Sequence, residues 1–288
     1  MATVLQRSAV GLVLISAISG LMLLDQLTGH GWGVIALATL LVFGGTIEMG
    51  RMLAPHDPIP ARTLAALGAA FTLLRGAGHE LDPRLSLLLA PLALLVGAGL
   101  CFACLRGSPS LPRLRSLAMC LLTFLYLPVV GGYAVDVRFI DPQVGPAAFF
   151  YLVSIAKGTD ICAFFSGKAL GRVKLVPGVS PGKTTAGFVG AVAGGALITV
   201  LFALLTSLGT WLPLPLAPGV GMLMALVVIS GDLIESFLKR AVEVKDSANL
   251  LPGFGGVLDV IDSIIAAAPF TWYLLLLSRH LLLPAGSP

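Results

Sequence analysis

Asp232, Glu235, Ser236 and Lys239 stand at the end of a long apolar stretch, at positions i, i+3, i+4 and i+7. Residues three and four apart share one face of a helix, so two carboxylates, a hydroxyl and an amine would form a single stripe. Asp259, Asp262 and Ser263 repeat the i, i+3, i+4 pattern at the start of the next apolar stretch. Between the stripes lie Pro252, Gly253, Gly255 and Gly256, a composition that turns tightly and lets backbone approach a ligand. With Glu243 and Asp246, six of the chain's fourteen acids fall between positions 232 and 262, and Lys239, Arg240 and Lys245 sit among them. Carboxylates on facing helices, with no His or Cys beside them, suit a hard cation such as Mg²⁺. The neighbouring cations suit phosphate. Helix-end charge pairing would account for Glu235, Glu243 or Lys245 taken singly, but two matching acidic stripes around a glycine turn exceed what an interface requires.

A second charged cluster runs from Lys157 to Lys183. Lys157 and Asp160 are three apart in an apolar stretch, either part of a site or an internal ion pair that fixes packing. Lys168, Arg172 and Lys174 read equally as phosphate contacts or as topology signals. Ser180-Pro181-Gly182-Lys183-Thr184 places hydroxyls and a lysine before a helix start, a common phosphate arrangement. It is not a P-loop, because the spacing G-x-x-x-x-G-K-[ST] is missing. Glu48 has Arg51 three residues on and reads as an interfacial pair. The four histidines are scattered over predicted ends and loops and gather at no site. The cysteines, Cys101, Cys104, Cys120 and Cys162, all fall in apolar segments and read as packing residues.

These residues need elements to hold them, and the composition says which. Hydrophobic residues make up 57% of the chain, charged residues 11%, and the mean hydropathy is +0.98. A soluble domain carries about 25% charge, so the expectation is an all-α, polytopic integral membrane protein. Apolar runs of spanning length occur at about 8–24, 31–50, 61–76, 85–105, 116–134, 146–167, 186–208, 214–238 and 257–284, about nine transmembrane helices. Arg7 before the first run imitates a signal peptide, but no small-residue cleavage site follows it, so this run reads as a permanent helix. With the N-terminus in the cytoplasm, thirteen Lys and Arg fall on the inside, against Arg75, Arg84, Arg138 and Arg279 outside, with Lys157 inside a span. Cytoplasmic loops carry the positive excess. This orientation puts loops 168–185 and 239–256 in the cytoplasm, where nucleotides are. No basic run points to nucleic acid as a partner.

The residues around both clusters are similar to a known family. Ser236-Phe-Leu-Lys239-Arg240, Lys245-Asp246-Ser-Ala and Leu251-Pro252-Gly253-x-Gly255-Gly256-x-Leu-Asp259-x-x-Asp262-Ser263 resemble the C-terminal signature of the phosphatidate cytidylyltransferases (CDP-diacylglycerol synthases). Upstream, Asp160 with an aromatic pair after it, Gly167, Gly171-Arg172, Lys174-Leu175 and Ser180-Pro181-x-Lys183-Thr184 resemble the same family's pattern. The likeness covers about residues 145–275. It implies a division into N-terminal transmembrane helices (1–140) and a catalytic transmembrane half (141–288). Where the family pattern has His, Arg and Glu, this chain has Phe254, Val260 and Ala186.

The resemblance implies a reaction in which CTP and phosphatidate give CDP-diacylglycerol and pyrophosphate at the face of a bacterial inner membrane. It implies Mg²⁺ as cofactor and K⁺ as a second cation. Asp232, Asp259 and Asp262 are the expected metal ligands, and Asp232, Asp246, Asp259, Lys239 and Arg240 the expected catalytic set. Lys183, Ser180, Lys245, Arg172, Gly255, Gly256, Asp160 and Ser236 are expected to bind substrate and phosphate. A homodimer is compatible with the sequence. Two other classes compete. A CTP-dependent lipid-alcohol kinase would need a base for a hydroxyl, and an ion-coupled transporter would show broken helices in two corresponding halves; here the charge clusters lie in one half.

Overall fold

The computed structural model of the chain describes residues 4–53, 61–105, 108–250 and 255–282. It is 81% helical, with one small two-stranded sheet. Seven helical segments among the described residues are long and apolar enough to cross a membrane, which makes this a polytopic helical membrane protein. The expected count of about nine is not confirmed by them. In the first expected span, 8–24, the side chains of residues 8–15 lie outside the described set. The third forms a helix, but it carries Arg62, Arg75 and Glu80 and is less apolar than its neighbours.

Two compact units divide the chain. One comprises Met1–Val135 with Ala241–Ile261, the other Asp136–Arg240 with Asp262–Pro288. The segment 241–261, which the sequence groups with the C-terminal half, therefore packs within the first unit.

In the first unit, α1 (Val4–Thr28) turns at Gly29, whose φ of 72° is one that glycine adopts without strain, into α2 (Trp32–Leu53). The start of α2 has backbone N–H groups with no partner inside the helix. Asp25 satisfies two of them, accepting from Gly33 N at 2.7 Å and Val34 N at 3.0 Å. Glu80, the last residue of α3 (Ala61–Glu80), accepts from Gly31 N and pairs with His30 Nδ1 at 3.0 Å. Helices α4 (Leu89–Leu105) and α5 (Leu111–Phe124) complete a core of Leu64, Phe71, Val96, Leu100, Cys120 and Phe124. Pro128 cannot donate to the helix ladder, and α5 continues as a widened π segment over Leu125–Gly131. The buried Arg75 of α3 donates to the Val129 carbonyl at 3.2 Å, within that segment, and lies over the Phe71 and Tyr133 rings. Expected as a charge of an outside loop, Arg75 is instead a buried brace of irregular backbone, which lipid would not tolerate unsatisfied.

In the second unit, α6 (Tyr133–Arg138) leads to α7 (Gly145–Leu170). A hairpin of β1 (Lys174–Val176) and β2 (Ser180–Thr184) connects α7 to α8 (Thr185–Leu205). α9 (Ala217–Ala241) and α10 (Leu258–Leu282) follow; Ala241 and the first turn of α10 belong to the other unit. Small residues let these backbones approach. A Cβ on Gly190 would meet Ser166 of α7, and one on Gly194 would meet Cys162, 2.7 Å from its Cβ. Between α8 and α9, a side chain on Gly195 or Gly221 would strike the other helix's backbone. In lipid, where apolar contact with solvent carries no penalty, close packing of small residues is what holds helices together. A buried hydrogen bond between Tyr151 Oη and Thr199 Oγ1, 2.9 Å, ties α7 to α8 at mid-span.

Candidate active site

The acidic stripe of α9 and the start of α10 meet within the second unit. Carboxylate oxygens of Asp232, Glu235 and Asp262 lie within 4.8 Å of one another. Glu235 and Asp262 are buried, and Asp232 is half-buried. Close approach of α9 and α10 makes this possible: Gly231 packs against Ala266, and a Cβ there would collide with it. Three carboxylates this close repel one another in a low dielectric, so the surrounding cations decide whether the arrangement stands. Lys183 Nζ is 2.5 Å from Asp232 Oδ2, and Lys239 Nζ is 2.6 Å from Glu235 Oε2. Lys157 Nζ lies 3.7 Å from Asp262 and 3.9 Å from Asp160, and donates to Ser263 Oγ at 3.0 Å.

The local fold explains how each arrives. Thr184 ends β2 and caps α8, its Oγ1 accepting from Gly187 N at 3.1 Å. That fixes the strand-to-helix turn and sets Lys183, one residue earlier, to reach Asp232. Gly167 and Gly171 pack against Thr184, where a Cβ on Gly171 would clash. The glycine spacing of the upstream motif thus serves the hairpin that presents the lysine. Lys157 and Asp160 share a face of α7, so their charges belong to the same cluster rather than to a separate packing pair. Ser236 Oγ is 3.4 Å from Asp232 Oδ1.

Other expected residues are not members of this group of three acids. Arg172 is exposed on the link from α7 to β1, Ser180 is half-buried at the start of β2, and Arg240 is exposed near the end of α9. Lys245, Asp246, Gly255, Gly256 and Asp259 belong to the segment of the first unit. There Asp259 Oδ2 accepts from Ser247 N at 2.9 Å, Ser247 Oγ at 2.8 Å and Gly256 N at 2.7 Å. Lys245 and Asp246 are exposed. Pro252, Gly253 and Phe254 lie outside the described residues. Of the positions that depart from the family pattern, Val260 and Ala186 are both half-buried.

Two residues matter more than the sequence indicates. Glu235 reads equally as an interface charge, yet it is fully buried at the cluster's centre; its i+3 spacing from Asp232 was the available signal. Glu48, expected to pair with Arg51, is buried and accepts from Ser247, Val257 and Leu258. Nothing local in the sequence announces that contact, since its partners lie some two hundred residues away.

A helical membrane protein that gathers acids and lysines at the ends of its spans is built to manage charge beside lipid. Residues 5–278 match the cytidylyltransferase family, and the chain belongs to that family. It is 40% identical over 158 residues to a phosphatidate cytidylyltransferase of Bacillus subtilis (strain 168), a match covering 54% of this chain and 57% of that protein. It is 43% identical over 132 residues to a phosphatidate cytidylyltransferase of Brucella suis biovar 1, covering 44% and 46%. The chain thus spans about half the length of these two relatives. With a phosphatidate cytidylyltransferase of Synechocystis sp. the match is 30% identical over 290 residues and covers 92% of this chain and 96% of that protein.

Proposed function

We propose that this protein is a CTP:phosphatidate cytidylyltransferase, producing CDP-diacylglycerol and pyrophosphate for phospholipid synthesis. The observation that carries this is the Asp232–Glu235–Asp262 cluster with Lys183 seated on Asp232, in a chain whose relatives bear that name. A phosphate oxygen of phosphatidate attacks the α-phosphorus of CTP, a new P–O bond forms, and the bond to the β-phosphate oxygen breaks. A phosphomonoester is mostly ionised at neutral pH, its second pKa being about 6, so no histidine base is needed. Positioning and charge neutralisation are the tasks that remain.

The three carboxylates fit a hard divalent cation, offering only oxygen donors at close quarters. Asp232, Glu235 and Asp262 would hold Mg²⁺, which supplies charge neutralisation on phosphate oxygens. Lys183 and Lys157 keep the acids from repelling one another and present cations to the substrate phosphates. Lys239 holds Glu235 in place. Arg172, Arg240 and Lys245 add exposed positive charge for the triphosphate. The excess of Lys and Arg on one set of loops supports an inner-membrane protein with loops 168–185 and 239–256 in the cytoplasm.

The reading is tested with purified protein, CTP and phosphatidate, with and without Mg²⁺, and with Na⁺ exchanged for K⁺. CDP-diacylglycerol and pyrophosphate should appear together, and EDTA should abolish both. Absence of pyrophosphate, with phosphate passing from CTP to a lipid alcohol, would establish the kinase instead.

A further inference from the structure

We infer that Glu48 is a positioning residue for the reaction: an acid of the first helical unit that fixes Ser247 and the start of α10 without touching substrate. The inference rests on the cytidylyltransferase reading above. Glu48 lies outside residues 145–275, where the signature motifs stand, so no motif marks it. Glu48 is 5% exposed, and its carboxylate serves three donors. Oε1 accepts from Val257 N at 2.9 Å, and Oε2 accepts from Leu258 N at 2.9 Å and from Ser247 Oγ at 2.8 Å. Val257 and Leu258 open α10, where N–H groups lack partners within the helix and a negative charge is favoured. One side chain of α2 therefore caps α10 and holds the loop before it.

The clamp also explains the glycine pair of the signature. A Cβ on Gly256 would run into Ser247 Oγ and the Glu48 carboxylate. Gly255 has a φ of 93° and lies against Asp259, so a side chain there would be strained as well as crowded. Ser247 Oγ is 2.8 Å from both Glu48 Oε2 and Asp259 Oδ2. A hydroxyl has one proton, so the bond given to one carboxylate is taken from the other. Through Ser247, Glu48 is coupled to Asp259, a residue expected to act in the reaction, and to the loop that carries Lys245 and Asp246.

Glu48→Gln keeps the volume but turns an amide NH₂ toward backbone donors. Amide hydrogen exchange should then quicken at least about tenfold at Ser247, Gly256, Val257 and Leu258, while amides of α7 and α8 exchange as before. Both Glu48→Gln and Ser247→Ala should lower kcat/KM for CTP by about tenfold or more. The double variant should fall little below the worse single one, because the two act as one unit. Unchanged exchange in Glu48→Gln, or losses that multiply in the double variant, would overturn the inference. If Glu48→Gln does not accumulate folded, Gly256→Ala presses on the same clamp from the loop side and should quicken the same amides. Quickened exchange in a protein whose wild type makes no CDP-diacylglycerol would sink the functional reading while leaving the clamp intact.

Discussion

Asp232 answers to four neighbours at once: Lys183 from the hairpin, Ser236 one turn along its own helix, and the carboxylates of Glu235 and Asp262. Changing it to Asn removes a ligand from the proposed metal site and leaves Lys183 facing a neutral amide. Loss of a principal charge-stabilising group commonly costs on the order of 10²–10³ in rate, and Asp232→Asn should fall that far in a CTP turnover assay with the protein still folded. Glu243→Gln, an exposed change just beyond α9, should retain most activity. Near-normal turnover in Asp232→Asn, or equal losses in both, would remove the basis for the site. At this scale the sequence is informative where partners lie one helical turn apart. The i, i+3, i+4 stripes pair Asp232 with Glu235 and Asp259 with Asp262 because helix geometry fixes which side chains are neighbours, but the expected metal set of Asp232, Asp259 and Asp262 has Asp259 where the structure groups Glu235. The sequence is silent on Glu48, because no local spacing encodes a bond to Ser247.

Among the elements, α7 and α8 depend on shape more than on charge. Gly194 faces Cys162, and Gly190 faces Ser166. Gly194→Ala should lower the thermal midpoint in detergent, because overpacking of a tight contact typically costs about 1–3 kcal/mol. Cys162→Gly in the same chain, by removing both the sulfur and the Cβ that the new methyl meets, should offset much of the loss. An additive fall in the double variant would place the strain elsewhere. The long apolar helices are legible from hydropathy alone, since every backbone polar group in lipid must be satisfied within the segment. The β1–β2 hairpin is not legible, because strands of three and five residues, the second interrupted by Pro181 and Gly182, are too short to carry an alternating pattern. Nor is the demotion of the third span: its buried Arg75 is satisfied by a carbonyl of the π segment, a contact that no window of sequence contains.

For the molecule as a whole, the charge bias of the loops makes a directional prediction. In a chain whose four native cysteines are replaced by alanine, Asn249→Cys, an exposed position, should resist an impermeant thiol reagent in intact cells and react once the membrane is opened. Labelling in intact cells would place the nucleotide-facing side outside and invert the proposed topology.

The bond between Glu48 and Ser247 joins residues 199 positions apart, and this has a consequence for biogenesis. Translation at about 5–20 residues per second separates their synthesis by about 10–40 s. Throughout that interval α2 carries a carboxylate whose eventual partners do not yet exist, in a helix otherwise suited to lipid. Chains cut short before position 247 can never supply them. Until Ser247, Val257 and Leu258 are made, the Glu48 carboxylate lacks the three donors that satisfy it in the folded chain.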